Sequence, residues 1–331
     1  MSFEIASIKN KGLLRELKQK LENYLGPDAS ASPLGSSVIQ IGLILRSASP
    51  AFRKPTLLIF AADHGVGKDV RAMIPNRETY NLVLRFLEDA GPLNRLCKEQ
   101  NITMRVVDLG VDHHFENLLT YWLNHGSKHI NKKVDLGTQD FTQAPAMTTA
   151  QCKEAFNAGA ELVKQERRQK SNVLIIGAIG VGNQLSALAL AAAILDLKQE
   201  DLPGNTAGME IVFKALKKHP KTHDPLTLLT LFGGYEIAAI TGAFLQAAEQ
   251  KMVVMIDGLV AAVALLVAQK LNSKVLEYVL CCDTNNDAAY RFVLKQLDKN
   301  PVLNSGISAG DGTGAVLTYP LIKSGLGFLR A

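Results

Sequence analysis

Apolar and polar positions along this chain follow two periodicities, one helical and one typical of strands. Between residues 8 and 25, leucines recur at helical spacing with charged residues between them, which predicts an amphipathic helix. The sequence Gly26-Pro27-Asp28 ends that pattern, and the small residues of 29–37 predict a linker.

Short apolar runs rich in β-branched residues then alternate with longer helical patterns. The runs that predict strands are 56–60, 104–109, 172–176, 227–232, 251–256 and 274–280. The patterns that predict helices are 79–99, 149–168, 183–197, 234–250, 258–271 and 287–298. Uninterrupted apolar strands alternating with helices indicate an α/β fold, a Rossmann-like parallel sheet with helices on both faces.

In such a sheet, ligands bind at the carboxyl ends of the strands, so the turns that follow strands are the places to look for chemistry. The first such turn, Ala61–Val66, contains Asp63 and His64. An acid beside a histidine suggests acid–base chemistry or a metal ligand. The other ligands of a metal site are missing from the turn, so no metal is expected.

The second turn, Gly177–Asn183, is rich in glycine and runs from an apolar strand into a helix. Such a turn can hold a phosphate with its backbone amides, although close strand–helix packing explains the glycines equally well. It lacks the lysine of a Walker loop and the glycine order of a dinucleotide-binding fold.

Two further turns carry acids. Glu236 lies near the start of the helix that follows Gly233-Gly234, where the helix dipole favours a carboxylate whatever its role. Asp257 follows the apolar strand 251–256, and it could hold a ribose hydroxyl or cap the next helix.

The segment 305–320 places Asp311 between Gly310 and Gly312, ahead of an apolar, helix-like run. Flanking glycines let a backbone approach a ligand closely, and a carboxylate held there could take a proton from it. The simpler alternative is an acidic helix cap.

The amino-acid composition of the chain excludes some classes of function. The chain has 331 residues, 47% of them apolar and 20% charged, which is enough for a large core. The net charge of +5 is mild, and its densest basic cluster, Lys164–Lys170, has no interleaved aromatic residues. Nucleic-acid binding is therefore not expected, whereas a small phosphate-bearing ligand would suit this charge.

Several features indicate a soluble cytoplasmic protein. The four cysteines form no disulfide framework in a chain of this length, which points to a reducing compartment. The first residues lack the apolar stretch of a signal peptide. The most apolar run, Leu259–Ala268, is too short to cross a bilayer and predicts a buried helix, so no membrane partner is expected.

The order of motifs is more specific than any one of them. The segments that carry it are Ala62–Val66, Gly137–Thr148, Gly180–Asn183, Gly233–Ala239, Asp257-Gly258 and Gly310–Ala315. In this order the chain resembles the nicotinate-nucleotide:dimethylbenzimidazole phosphoribosyltransferase family of cobalamin lower-ligand synthesis.

The resemblance implies transfer of a phosphoribosyl group from nicotinate mononucleotide to a benzimidazole-type base, with release of nicotinate and inversion from β to α. It implies a homodimer that needs no metal and no cofactor. It also implies a smaller helical subdomain. We assign residues 1–35 to that subdomain and residues 36–331 to the parallel-sheet catalytic domain, some of whose helices join the smaller part.

The resemblance also assigns roles to residues. The catalytic base of the family is a glutamate, and the matching position is Asp311. A second family glutamate matches Ala178, and Lys214, after a shortened loop at Gly204–Gly208, is a candidate for the phosphate-binding lysine. The residues expected to bind substrate are Asp63, Asn81, Gly177, Gly180, Gly182, Asn183, Asp257, Gly310 and Gly312.

The phosphate-cradling glycines match the family better than the acid–base groups do. A related aromatic base could therefore be the acceptor. The alternative is a catalytically weak or inactive nucleotide-binding protein with a regulatory role. A dinucleotide-dependent oxidoreductase is disfavoured because its glycine fingerprint is missing.

Overall fold

The computed structural model describes residues 3–67, 79–115, 128–203, 206–307 and 309–330. Its centre is a sheet of six strands in the order β3-β2-β1-β4-β5-β6, and every neighbouring pair is parallel. The strands are β1 (Thr56–Ala62), β2 (Thr103–Gly110), β3 (His129–Asn131), β4 (Val173–Ile179), β5 (Val253–Ile256) and β6 (Val279–Cys281). The predicted parallel α/β sheet is confirmed.

Twelve α-helices accompany the sheet within the described ranges. They are α1 (Lys11–Leu25), α2 (Pro33–Leu45), α3 (Thr79–Leu87), α4 (Pro92–Glu99), α5 (Thr149–Arg168), α6 (Asn183–Leu195), α7 (Thr206–Lys218), α8 (Pro225–Phe232), α9 (Tyr235–Glu249), α10 (Leu259–Leu271), α11 (Ala288–Gln296) and α12 (Thr313–Gly325).

Burial on both faces of the sheet explains why the strand sequences are continuous apolar runs. Every residue of β1, β4 and β5 is buried, because helices cover both faces of the sheet. Helix α9 packs on β1, β2 and α5, and helix α12 packs on β4, α2 and α4. The predicted buried helix at Leu259–Ala268 is confirmed as the main part of α10.

The predicted strand at 227–232 is wrong, because this segment belongs to helix α8. The carboxylate of Asp224 accepts a hydrogen bond from the backbone N–H of Thr227 at 2.8 Å, and Pro225 occupies the first helical position. An acidic cap followed by proline starts a helix, and it outweighs the strand-like apolar run after it.

The predicted linker at 29–37 is also wrong in its second half. Residues Ala29–Ala31 form one 3-10 turn, and α2 begins at Pro33. Ser32 caps that helix by accepting a hydrogen bond from the N–H of Gly35 at 3.0 Å. Small residues here pack closely rather than form a flexible connection. The proposed domain boundary between residues 35 and 36 therefore falls inside α2, and the division into domains stays a prediction.

Four other elements differ from expectation. The helix predicted at 79–99 is two helices, because Asp89 takes a φ of +56° and Pro92 begins a new helix. The strand predicted at 274–280 is largely a 3-10 helix, Ser273–Tyr278, with only its end in β6. Strand β3 and helix α7 have no counterpart in the prediction.

Strands β1 and β4 are neighbours at the middle of the sheet. Strands β2 and β3 extend the sheet from β1 toward one edge, and β5 and β6 extend it from β4 toward the other. Ala61 lies opposite Ile179, so the turns after these two strands begin side by side. This is the switch point at which open α/β sheets form their ligand crevice. In the part of the chain that the structure describes, no helix is long and apolar enough to cross a membrane.

Candidate active site

A cavity of about 370 Å³ opens at the switch point. Its wall combines the turn after β4 with the start of α6, part of α3 and the segment before α12. The lining residues are Thr79, Leu82, Ala178, Ile179, Gly180, Val181, Gly182, Asn183, Gln184, Leu185, Val260, Ala309 and Gly310.

The glycine turn, residues 180–183, forms one side of this cavity. Gly182 has a φ of +87° and leads directly into α6, which begins at Asn183. The first N–H groups of a helix lack partners within the helix, and the dipole adds partial positive charge there. The turn therefore presents an anion-binding surface to the cavity.

The segment with Asp311 lies against the strand that leads into this turn. The N–H of Ala178 donates to the carbonyl oxygen of Gly310 at 2.9 Å. A Cβ atom added to Gly177 would lie 2.0 Å from the carbonyl oxygen of Asp311, so only glycine allows this approach. Gly177 thus lets the backbone of Asp311 lie against β4, next to Gly310, which lines the cavity, whereas Asp311 itself is not among the lining residues.

The carboxylate of Asp311 is half-buried and acts as a cap in this structure. Its Oδ1 accepts hydrogen bonds from the N–H of Thr313 at 3.0 Å and from the Thr313 hydroxyl at 2.6 Å. No described residue donates to Oδ2. The capping and catalytic interpretations are therefore compatible, because the cap uses one oxygen and the base would use the other.

Asp63 is buried behind the cavity wall and joins three elements. Its Oδ1 accepts from the hydroxyl of Thr79 at 2.5 Å and from the N–H of Val181 at 3.0 Å. Its Oδ2 accepts from the N–H of Asp112 at 2.8 Å. Both oxygens are used, so Asp63 fixes the glycine turn and the start of α3 relative to β1.

Asp257 is fully buried beneath the start of α12. Its Oδ2 accepts a hydrogen bond from the N–H of Gly314 at 2.8 Å, whereas Oδ1 has no partner among the described residues. Burial, together with the negative charge of Asp311, raises the pKa of this carboxyl to about 7. Asp257 caps α12 and not the helix that follows it in sequence, α10.

A buried pair that sequence reasoning missed lies under the glycine turn. His64 Nε2 and Glu236 Oε1 are 2.7 Å apart, and both side chains are completely buried. The sequence singles out each residue separately, but their pairing depends on how the elements pack. The signal in the sequence is that each lies in a turn directly after an apolar run.

The other predicted residues are distributed around the cavity. Gly180, Gly182, Asn183 and Gly310 line it, whereas Gly177 and Gly312 lie behind its wall. Asn81 lies instead in an open depression with Leu84, Arg85 and Glu88.

The resemblance also predicts a phosphate-binding lysine, Lys214, and a shortened loop that begins at Gly204. Lys214 is exposed on α7 and does not line the cavity. Gly204, in the predicted shortened loop, is outside the described residues. A larger apolar cavity of about 690 Å³, between α5 and α8, contains none of the predicted site residues. The smaller cavity is therefore the candidate active site, because predicted substrate-binding residues line it.

Comparisons with known proteins find similar proteins over the whole length of this chain. A family model described as "Phosphoribosyltransferase" matches residues 7–331. A nicotinate-nucleotide–dimethylbenzimidazole phosphoribosyltransferase of Ralstonia nicotianae is 32% identical over 339 residues, covering 100% of this chain and 94% of that protein. The corresponding protein of Dechloromonas aromatica is 33% identical, covering 99% of this chain and 95% of its own.

Solved structures show the same architecture. The crystal structure of the enzyme of that name from Thermus thermophilus superposes with a TM-score of 0.87 at 25% identity. The superposition covers 97% of this chain and 96% of that one.

Proposed function

This chain belongs to the nicotinate-nucleotide–dimethylbenzimidazole phosphoribosyltransferase family, and we propose that it moves the phosphoribosyl group of nicotinate mononucleotide to 5,6-dimethylbenzimidazole or a related aromatic base. The products are nicotinate and an α-ribazole phosphate-type nucleotide. The observation that carries the proposal is the cavity at the switch point, where an anion-binding glycine turn faces the segment that bears Asp311.

The reaction exchanges one C–N bond for another at C1′ of the ribose. The bond from C1′ to the nicotinate nitrogen breaks, and its electron pair returns to that nitrogen, giving a neutral pyridine ring. A ring nitrogen of the acceptor forms the new bond to C1′ from the opposite face. The proton on the second ring nitrogen of the acceptor goes to Oδ2 of Asp311.

The protein contributes mainly position and electrostatics. The amides at the start of α6, beginning at Gly182, would hold the phosphate, because the N–H of Val181 is already bonded to Asp63. Asp311 would orient the acceptor while it takes the proton. Asp63 and Gly177 would act from behind the wall by fixing these two segments. Asn81 contributes to acceptor binding only if its side chain turns from the depression it now lines.

The direct test is to incubate the purified protein with nicotinate mononucleotide and dimethylbenzimidazole and to follow nicotinate and product by chromatography. Appearance of both in equal amounts supports the proposal. Binding of the nucleotide by calorimetry without any release, with several benzimidazole and purine bases offered, would contradict it.

One observation favours a second candidate, a nucleotide-binding protein without transfer activity. Ala178 lines the cavity with a methyl group at the position where the family has a carboxylate. The same experiment separates the candidates, because this one predicts tight nucleotide binding and no nicotinate.

We also propose that the chain forms a homodimer in the cytoplasm. Large apolar side chains are exposed on α1, on α12 and on the C-terminal 3-10 turn, Leu326–Leu329, which contacts both helices. They are Tyr24, Leu25, Leu321 and Phe328. All four cysteines are buried and unpaired, as in proteins of reducing compartments.

A further inference from the structure

We propose that His64 and Glu236 are a positioning pair that holds the glycine turn in the shape that receives the nucleotide phosphate; this inference rests on the proposed function. Neither side chain lines the cavity, so the pair acts through the turn. The two residues are 172 positions apart in sequence and 2.7 Å apart in space.

His64 contacts the turn through backbone and side chain. Its N–H donates to the carbonyl oxygen of Val181 at 3.0 Å, and its own carbonyl accepts from the N–H of Gly67 at 2.9 Å. A Cβ added to Gly182 would lie 3.0 Å from the Cβ of His64. A shift of the imidazole ring would therefore be transmitted to the amides that face the cavity.

Glu236 anchors the ring from the next element. It lies in the first turn of α9, where the helix dipole favours a carboxylate, and α9 is packed tightly against α5. Gly234 makes room for the pair, since a Cβ there would lie 2.2 Å from His64 Cε1 and 2.5 Å from Glu236 Oε2. The imidazole is thus held between a rigid helix and the glycine turn.

The hydrogen-bonding capacity of the pair is not fully used, so a contribution to stability does not by itself explain the pair. His64 Nδ1 and Glu236 Oε2 are both buried, and neither has a hydrogen-bond partner in the part of the chain that the structure describes. Leaving such atoms unpaired is unfavourable, and apolar replacements of both partners of a buried pair are often neutral or stabilising. A role in geometry accounts for a pair that stability alone does not require.

The decisive variants are His64→Leu, Glu236→Leu and the double variant, with His64→Gln and Glu236→Gln as conservative replacements. We expect either leucine variant to raise the KM for nicotinate mononucleotide about tenfold or more, with a smaller effect on kcat. The glutamine variants, which keep a hydrogen bond between the two side chains, should regain most of the affinity.

The double leucine variant distinguishes positioning from stability. We expect it to recover thermal stability relative to the single variants while its KM stays high, because two apolar side chains cannot reproduce the ring position. Recovery of KM together with stability would overturn the proposal. His219→Leu and Glu166→Leu are matched controls, because these residues make comparable contacts away from the cavity.

Two measurements keep this test separate from that of the transfer reaction. Calorimetry with nicotinate mononucleotide and with inorganic phosphate reports on the turn even if no nicotinate is released. If the unaltered chain binds neither anion, the turn is not an anion site and the inference fails. In ¹⁵N spectra of the histidine rings, Glu236→Gln should shift the His64 signals and Glu166→Gln should not; unshifted His64 signals would also refute the pairing.

Discussion

At the scale of single residues, the resemblance implies glutamates at two positions, where this chain has Asp311 and Ala178. The two positions lie on segments joined by the hydrogen bond from the N–H of Ala178 to the carbonyl oxygen of Gly310. The backbone compensates in part, because Gly177 lets the Asp311 segment lie directly against β4. The rate of transfer therefore depends on whether this close packing brings the Asp311 carboxylate within hydrogen-bond distance of the acceptor base.

Asp311→Asn tests the role of the base. The amide oxygen can still accept the hydrogen bonds from Thr313, so the cap and the fold should survive, while proton transfer is lost. We expect nicotinate release to fall about 10²- to 10⁴-fold, measured by chromatography under saturating substrates.

Asp224→Asn is the matched control, because Asp224 caps α8 through the same two groups of a threonine, far from the cavity. It should leave the rate unchanged. An Asp311→Asn variant as active as its parent would remove Asp311 from the mechanism.

Ala178→Glu tests whether the missing carboxylate limits the reaction. The Ala178 side chain lines the cavity, and a glutamate there could accept a hydrogen bond from the acceptor ring. We expect kcat/KM for dimethylbenzimidazole to rise about tenfold, since a second contact orients the ring. Ala178→Gln, which has nearly the same shape without the charge, should rise less; equal gains would show that shape rather than charge matters.

At the scale of elements, the start of α12 is held by acids from two different segments. Asp311 caps it from its own chain segment, and Asp257 reaches it from the end of β5. Asp257 is buried, and burial together with the negative charge of Asp311 raises its pKa to about 7, whereas the Asp311 side chain is only half-buried.

The raised pKa of Asp257 predicts a dependence of stability on pH. A carboxyl whose pKa rises from its ordinary 3.8 to about 7 on folding binds its proton more tightly in the folded state. Its stabilising effect is therefore fully present below about pH 4 and is lost as the pH rises through 7.

Asp257→Asn should remove this component, because asparagine can accept the Gly314 hydrogen bond without ionising. Urea unfolding at about pH 5 and about pH 8 measures it. We expect the parent protein to lose more unfolding free energy between these pH values than the variant does. An equal loss would mean that Asp257 does not titrate in this range.

Gly177→Ala tests the contact between β4 and the Asp311 segment. The added methyl would lie 2.0 Å from a backbone oxygen, so the segment must move by about an ångström. We expect activity to fall about 10²-fold, with a cost of about 1–3 kcal/mol in unfolding free energy. Gly12→Ala, whose new methyl would meet only Asn10 Oδ1 at 3.7 Å, should be neutral in both. Full activity in Gly177→Ala would disprove the positional role.

At the scale of the whole molecule, the termini form an apolar surface beside the sheet. Helices α1 and α12 pack with the C-terminal turn, Leu326–Leu329, and α2 packs on both helices. Lys20 Nζ donates to the carbonyl oxygen of Leu329 at 3.0 Å. Tyr24 and Phe328 remain 57% and 37% exposed there, which is costly for a surface that faces water. A second copy would cover it.

Light scattering after size exclusion should therefore give a mass near twice 35.8 kDa. Replacing both Tyr24 and Phe328 with glutamate should give monomers, because charges would face each other across the contact. Leu226→Glu, an equally exposed position on another face, is the control. Monomers from Leu226→Glu alone would place the dimer contact at the cavity between α5 and α8 instead.

The sequence by itself determined the parts of this protein that depend on short-range pattern. Continuous apolar runs specified the buried strands β1 and β4, and the glycine-rich segments at 180–183 and around Asp311 marked parts of the cavity wall. The order of motifs specified the family, because chemistry at fixed places along the chain survives divergence. Errors arose where local signals compete, as at 227–232, where a cap and a proline outweighed a strand-like run.

Only the tertiary structure determined which of these turns lie next to one another. Strand order placed β1 beside β4, and so brought His64 to Glu236 and Gly310 to Ala178 across long separations in sequence. It also turned Asn81 toward a different depression and bound Asp257 to a helix remote in sequence. The periodicity of a chain fixes which face of an element is buried, but only the packing of elements fixes what lies against that face.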